Sequence, residues 1–360
     1  MLAAARGRPF LDGSMLEPLT AQLRAPRDLT PEQARLAAQL LASADVAETA
    51  KVDFLAALAA KGETTAEIAA FAETYRASAR DPGVQEWAPQ ALDIVGTGGD
   101  HAGGFNVSTL VTLVLASARV PVMKHGNAGI TSKCGSADLM AAFGVDLQAP
   151  PEKARAALRE LGYCFFFAPA YHPTFKHIAP ARKALAARGQ RTIFNILGPL
   201  INPGRPAHVM LGVYAPALVA KFAETLETLR CPAGIVAHGI LGPDRGIDEW
   251  TTATDNLVAG VGRLRETAAN WTAADFGMER GPFSDLVGGD VATNLALTDA
   301  LLADRAPRGL TDTIVAVASM GLWVAGRTTQ VADGVPLVRD LLHGGAVAKK
   351  IAATREFYRS

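Results

Sequence analysis

The stretch DIVGTGGDHAGGFNVSTLVTLVLAS, residues 93–117, joins a short apolar segment to a long apolar helix through a glycine-rich turn. Five glycines fall between Gly96 and Gly104. Glycines let backbone N–H groups approach an anion closely, and the free N–H groups at the start of the following helix attract negative charge. A flexible loop would show the same composition, so the turn taken alone leaves open both a phosphate site and a plain connection.

The spacing of these glycines differs from that of the common nucleotide-binding loops. The string GTGGDHAG lacks the dinucleotide fingerprint, and no Lys followed by Ser or Thr completes a P-loop. Asn106, Ser108 and Thr109 instead supply neutral donors after the turn, and the Ser108 hydroxyl could also bind a metal ion.

The residues around this turn alternate between strand-like and helix-like patterns. Strands are predicted in ALDIV, VPVMKHG, YCFFFAP, AHVMLGVY and AGIVAHG, with helices such as PPEKARAALRELG and APALVAKFAETLETL between them. This alternation predicts an α/β domain with a mostly parallel central sheet flanked by helices. In such sheets ligands bind at the carboxyl ends of the strands, which is where the glycine-rich turn lies.

Residues 14–82 show helical patterns without a catalytic constellation. Thr30 with Gln33, and Thr64 with Glu67, form capping-box patterns at two predicted helix starts. These patterns predict a small all-helical N-terminal domain that serves packing or oligomerisation.

The composition argues against several classes of protein. Of 360 residues, 49% are hydrophobic, and 35 basic residues balance 35 acidic ones, which disfavours broad binding of nucleic acid or anionic membranes. Cys134, Cys164 and Cys231 are too scattered for a disulfide framework or a zinc motif, which favours a cytoplasmic location. No uninterrupted apolar run reaches the ~18 residues of a membrane span.

A second polar turn, MKHGNAGITSKCGSADLM, follows the next predicted strand. Lys124 supplies a cation, and the residues after it supply hydroxyl and backbone donors, a combination that suits phosphate or pyrophosphate. A solvated loop is the alternative for one such turn. Two such turns after two strands of one sheet favour a binding site.

Two charged stretches complete the candidate chemistry. Asp248 and Glu249 in GIDEW are adjacent carboxylates after an apolar strand, which suits Mg²⁺ shared with substrate phosphates, although such pairs also occur on ordinary surfaces. A basic cluster could hold a carboxylate through an arginine fork, or could be surface charge. Its members are His172, Lys176, His177, Arg182 and Arg191.

Taken together and in order, these motifs resemble those of the anthranilate phosphoribosyltransferases. The matching strings are DIVGTGGD, FNVST, KHGN, SKCGSAD, HP, FNILGPLINP and GIDE, and the resemblance continues through LVGGDVATN to LWVAG. It implies transfer of the phosphoribosyl group of phosphoribosyl pyrophosphate (PRPP) to anthranilate in tryptophan biosynthesis, without a covalent protein nucleophile. It also implies a homodimer formed through the helical domain.

The resemblance further implies a domain division and the residues that bind PRPP. Residues 1–88, joined in space by about 169–188, would form the helical domain; 89–168 and 189–360 would form the PRPP-binding α/β domain. By matched position the PRPP-binding residues are Gly96, Gly99, Asp100, Asn106, Val107, Ser108, Thr109, Lys124, His125, Gly126, Asn127, Ala128, Gly129, Ile130, Thr131, Ser132 and Ser136.

The resemblance assigns the metal and the acceptor to smaller sets. Mg²⁺ would be held by Ser108, Asp248 and Glu249. Anthranilate would be contacted by Gly96, Asn127 and Arg182, with Arg182 facing its carboxylate. The cleft between the two domains would then be the active site.

The sequence departs from the family pattern at a few positions. Ala128 stands where the family usually has Arg, Gly129 where Ser or Ala is usual, and Gly104 where Thr is common. Val317 stands where Asn is frequent. These changes keep open a paralogous phosphoribosyltransferase or nucleoside phosphorylase-like enzyme with another aromatic acceptor, and, less favoured, a non-catalytic binding protein.

Overall fold

The computed structural model of the chain describes residues 13–129, 133–243 and 245–359. Its α-helices are α1 Leu16–Arg24, α2 Pro31–Ala42, α3 Glu48–Lys61, α4 Thr65–Ser78, α5 Val107–Ser117, α6 Ser136–Ala142, α7 Pro151–Leu161, α8 Ala168–Tyr171, α9 Ala179–Ala186, α10 Ala217–Thr228, α11 Val291–Leu302, α12 Arg308–Val324, α13 Val335–His343 and α14 Ala346–Arg359. Its strands are β1 Leu92–Gly96, β2 Val122–Gly126, β3 Tyr163–Phe167, β4 His208–Gly212, β5 Ala233–Gly242, β6 Arg245–Ile247, β7 Asp255–Gly262 and β8 Ala268–Trp271.

The chain divides into two compact units. The first comprises the described residues up to Ser78 and the segment His172–Leu197, and the second comprises Ala79–Tyr171 and the described residues from Gly198 onward. The helical unit ends at Ser78, where the predicted limit was 88, and its returning segment is His172–Leu197, where the predicted range was about 169–188.

The helical unit contains α1 to α4 and α9, and two of its helices begin at the predicted capping boxes. Thr30 accepts a hydrogen bond from Gln33 N at 3.2 Å, and the Gln33 side chain accepts one from Thr30 N at 2.9 Å. Thr64 and Glu67 repeat the exchange at 3.2 and 2.8 Å. Each box satisfies N–H groups that the first helical turn leaves without partners, so both predictions are confirmed.

The second unit is built on an eight-stranded sheet in the order β3-β2-β1-β4-β5-β7-β8, with β6 paired to β5. The five strands β3, β2, β1, β4 and β5 are parallel, while β6, β7 and β8 pair antiparallel. The small helical domain and the mostly parallel sheet confirm the predicted fold class. The antiparallel strands β7 and β8 were not predicted.

Packing around α5 positions the carboxyl edge of the parallel strands. Helix α5 is buried along almost its whole length because it packs against α12, α14 and strands β1 and β2. Its first residues therefore lie at a fixed place beyond the ends of those strands. In the part of the chain that the structure describes, no helix is both long and apolar enough to cross a membrane.

Candidate active site

Two glycines at neighbouring strand ends form the base of the site. Gly96 ends β1, Gly212 ends β4, and the two residues are register partners in the parallel pair. A Cβ on Gly96 would overlap the Asp248 carboxylate, and a Cβ on Gly212 would overlap the Asp248 backbone carbonyl. The pair therefore lets the GIDE segment pass directly across the ends of both strands, which larger residues would prevent.

The first glycine-rich turn closes around the two acids of that segment. Asp248 Oδ2 accepts a hydrogen bond from Gly98 N at 2.5 Å, and Asp248 N donates to Asp100 Oδ2 at 3.4 Å. Glu249 Oε1 accepts a hydrogen bond from Ser108 N at 3.1 Å, at the start of α5. The turn thus brings together Asp100 and Ser108 with the predicted metal ligands Asp248 and Glu249.

Lys124 is the cation at the centre of this arrangement, and it lies below the turn rather than on the surface. It is 1% exposed, and its Nζ donates to Ile94 O at 2.6 Å and to Ser108 Oγ at 3.1 Å. Direct contact of Lys124 with PRPP stays a prediction. In the structure its ammonium group is buried at the carboxyl edge of the sheet, where its hydrogen bond fixes the Ser108 side chain.

The acids carry more negative charge than this one cation balances. Burial raises the pKa of the Asp248 carboxyl well above its usual value, and the charges of Asp100 and Glu249 raise it further. Burial also raises the pKa of Glu249 to about 7, against the opposing effects of Lys124 and the Ser108 N–H. A divalent cation would relieve this repulsion.

The donor set fits magnesium. Asp100, Ser108, Asp248 and Glu249 offer only oxygen atoms, which Mg²⁺ prefers, whereas zinc sites in proteins include His or Cys ligands. Within the described ranges, no group of three or more His, Cys, Asp or Glu side chains could hold a metal ion by itself. An ion here would need further ligands from substrate phosphates or water, which is the usual behaviour of Mg²⁺.

The second turn is shaped by an acid that the sequence patterns did not single out. Asp138 Oδ2 accepts hydrogen bonds from Gly129 N and Gly135 N, both at 2.8 Å. Asn127 O accepts them from Ala137 N at 3.1 Å and from the Ser136 hydroxyl at 3.4 Å. The signal for Asp138 was its position three residues after Gly135, the residue before α6. The predicted residues Ile130, Thr131 and Ser132 lie outside the described residues.

Several predicted PRPP-binding residues also pack within the edge of the sheet. The side chains of Val107 and Thr109 are buried in α5, so any contact of Val107 with substrate would use its backbone. His125 is 2% exposed, and its ring nitrogen Nδ1 lies within hydrogen-bond distance, 3.1 Å, of Gly198 O. A Cβ on Gly126 would overlap the Ser136 hydroxyl.

Arg182 lies in the helical unit, on α9. Its guanidinium sits over the Phe194 ring, 5.4 Å from the ring centre, and burial lowers its pKa. Among the residues that the structure describes, no carboxylate pairs with it. A half-buried guanidinium without a carboxylate partner is suited to binding an incoming carboxylate.

Two other members of the basic cluster, His172 and His177, have contacts within the helical unit. The His172 ring stacks on Phe175 at 5.2 Å between centres, and the His177 carbonyl accepts a hydrogen bond from the buried Lys51 at 2.8 Å. The sequence pattern grouped these residues with Arg182. In the structure His172 and His177 contribute to packing within that unit.

Comparison with known proteins extends over both units. Residues 17–79 match the helical bundle domain of the Glycosyl transferase family, and residues 88–348 match its a/b domain. Fold and site thus define a two-domain glycosyl transferase. An anthranilate phosphoribosyltransferase of Thermus thermophilus is 41% identical over 317 residues, which cover 88% of this chain and 92% of that protein. The chain belongs to the anthranilate phosphoribosyltransferase family.

Solved structures agree with this assignment. The crystal structure of anthranilate phosphoribosyltransferase from Thermus thermophilus has a TM-score of 0.85 at 38% identity, covering 95% of this chain and 99% of that one. The enzyme from Saccharomyces cerevisiae, solved in complex with PRPP and Mg, shares the fold with a TM-score of 0.82 at 22% identity, covering 97% and 99%. The predicted family resemblance is confirmed.

Proposed function

We propose that the protein transfers the phosphoribosyl group of PRPP to anthranilate, giving N-(5-phosphoribosyl)anthranilate and pyrophosphate in tryptophan biosynthesis. The observation that carries the proposal is the cluster of Asp100, Asp248 and Glu249, held by the first glycine-rich turn at the carboxyl edge of the sheet. The family membership and the oxygen-only donor set support the same reaction, with Mg²⁺ as cofactor.

The contacts of the residues support the following proposed roles. Ser108, Asp248 and Glu249 would hold Mg²⁺, and a bound ion would supply positive charge to the departing pyrophosphate. Lys124 fixes the Ser108 hydroxyl and balances part of the acid charge. The backbone of the two turns orients the phosphates, so the rate enhancement comes from positioning and electrostatics and needs no covalent nucleophile.

For the acceptor, we propose that Arg182 binds the anthranilate carboxylate through two parallel hydrogen bonds. Its lack of a carboxylate partner among the described residues supports this role. Gly96 and Asn127 remain the proposed further contacts of anthranilate.

A fluorescence assay tests the function. The purified protein, incubated with PRPP, Mg²⁺ and anthranilate, should consume anthranilate fluorescence. No loss at saturating substrates would reject the proposal. A parallel panel of other aromatic amines and a phosphorolysis assay with nucleosides would then identify a paralogous transferase or a phosphorylase.

The variant Arg182→Ala tests the acceptor site. We expect the KM for anthranilate to rise by about tenfold to 100-fold, because a charge-assisted fork is lost, while the KM for PRPP changes little. Arg188→Ala, an exposed arginine of the same segment, is the matched control. An equal rise in both KM values would contradict the assigned role.

The raised carboxyl pKa values predict how the magnesium requirement depends on pH. Protons compete with Mg²⁺ for Asp248 and Glu249, and the pKa of Glu249 is raised to about 7. The Mg²⁺ concentration for half-maximal activity should therefore rise about tenfold between about pH 8 and about pH 6. Titrations of activity with Mg²⁺ at both pH values measure this shift. Identical titration curves would count against the acids as ligands.

We also propose a cytoplasmic homodimer formed through the helical domain. The family membership and the compact helical unit support this arrangement. Sedimentation analysis of the whole protein measures the assembly state, and a monomer at micromolar concentration would rule the dimer out.

A further inference from the structure

Two asparagine side chains connect three segments around the site. Asn294 lies on α11 and is 1% exposed. Its side chain accepts a hydrogen bond from Gly289 N and donates one to Asn106 Oδ1, both at 2.9 Å. Asn106 Nδ2 in turn donates to Cys134 O at 3.1 Å. We call these three hydrogen bonds the asparagine relay.

The direction of the asparagine relay is fixed at both ends. The Gly289 N–H can only donate, and the Cys134 carbonyl can only accept. Asn294 must therefore turn its oxygen to Gly289 and its NH₂ group to Asn106. An aspartate at position 294 keeps the shape but has no hydrogen to donate, so two oxygens would face each other in a buried place.

The relay uses a side chain that would otherwise cap a helix. Asn106 is the N-cap residue of α5, where an asparagine oxygen usually accepts a hydrogen bond from an N–H of the first turn. Within the described chain the Asn106 side chain makes no such capping bond. Glu249 accepts the hydrogen bond from Ser108 N instead. Because the Asn106 side chain is engaged in the relay, the Ser108 N–H in the first turn of α5 is available to Glu249.

The segment before Asn294 also holds the first turn through its backbone. Phe105 N donates to Leu286 O at 2.7 Å, and Gly288 N donates to Gly103 O at 3.0 Å. Together with the side chain of Asn294, these bonds fix the second half of the first turn. Cys134, at the other end of the relay, lies in the second turn.

We propose that Asn294 is a positioning residue for PRPP: it holds Asn106 and, through Asn106, sets the first glycine-rich turn against the second. The inference rests on the proposed function, because both turns are its PRPP-binding elements. Asn294 itself would not touch PRPP. It would act by keeping the donors of the two turns at a fixed separation.

The variant Asn294→Asp tests the proposal. We expect the KM for PRPP to rise about tenfold, with kcat and the KM for anthranilate nearly unchanged, since one buried hydrogen bond is replaced by a repulsive contact. Thr298→Val is the matched control: this buried hydroxyl, one turn further along α11, donates a hydrogen bond to Asn294 O. A PRPP KM equal to that of the wild type would overturn the proposal.

A second measurement separates positioning from a general loss of structure. In the background Asn106→Ala, Asn294→Asp should add little to the PRPP KM, because the relay is already broken; full additivity would overturn the inference. Hydrogen exchange without substrates should quicken in both turns of Asn294→Asp and in neither turn of Thr298→Val. If the wild type shows no transferase activity while this exchange pattern appears, the relay stands and the proposed function fails.

Discussion

The double variant Asp248→Asn, Glu249→Gln should lose magnesium-dependent transfer by about 1,000-fold or more. A bound metal ion stabilises the charge of the transition state in such a transfer by several kcal/mol. A difference of about 4 kcal/mol in the activation free energy corresponds to a factor of 1,000 in rate. The variant keeps the shape of both side chains and their hydrogen-bond acceptors for Gly98 N and Ser108 N. The loss should therefore appear as a failure to respond to Mg²⁺ rather than as unfolding.

Two comparisons make this result interpretable. Glu266→Gln with Glu356→Gln removes the same number of charges from exposed positions and should leave the rate unchanged. Circular dichroism of the double variant should show wild-type helix content and a cooperative thermal transition. Full activity in the double variant would reject Asp248 and Glu249 as metal ligands.

The variant Gly96→Ala has the second largest expected effect. The new Cβ would overlap Asp248 Oδ2 and lie 3.0 Å from its Cγ, so the carboxylate must move. A displacement of about 1 Å at a reacting site can cost about 100-fold in rate, and we expect a loss of that order together with weaker Mg²⁺ activation. Steady-state kinetics at several Mg²⁺ concentrations measure both effects.

The control for this variant is another glycine of the same sheet. Gly242, at the end of β5, has a backbone without a positive φ, and a Cβ added to it would meet no atom of the described residues within 4 Å. Gly242→Ala should therefore behave as the wild type. If Gly96→Ala did so as well, the close approach of Asp248 to β1 would not be needed for catalysis.

Local sequence patterns were sufficient to predict most of the parallel strands and the helices between them. The short strand before Gly96 and the apolar helix after it each have their own pattern, and Pro151 and Gly162 mark the limits of α7 as expected. Strands β7 and β8 escaped prediction because an antiparallel hairpin at the edge of the sheet has a weaker apolar signal than buried parallel strands.

The location of the candidate site was predictable, because its residues follow the carboxyl ends of parallel strands. Those ends bring the first turn to Asp248 and Glu249. The structure adds that Gly96 leaves room for the Asp248 carboxylate, and its contact with substrate stays a prediction. Asn294 could not be found in this way. Its partner Asn106 is 188 residues distant, and no local pattern encodes a side-chain pair across such a separation.

The position of the Lys124 ammonium group also depends on residues that are distant in the sequence. Strand β2 lies between β3 and β1 in the sheet and is buried along most of its length, so a lysine within it must direct its charge into the protein. From the sequence alone Lys124 was placed at the end of this strand, as a cation suited to phosphate. Only the neighbouring strand and helix, which supply Ile94 O and Ser108 Oγ, decide where its ammonium group lies.

The glycine pair at the ends of β1 and β4 has a consequence for the order of folding. The hydrogen bond from Gly98 to Asp248 closes a loop of 150 residues, and contacts of such long separation form late because the chain entropy of closure must first be overcome. A partly synthesised chain ending after β4 already has both glycines but lacks the acids. The ability to bind Mg²⁺ should therefore appear only with complete folding, and the metal can serve as a reporter of the last step.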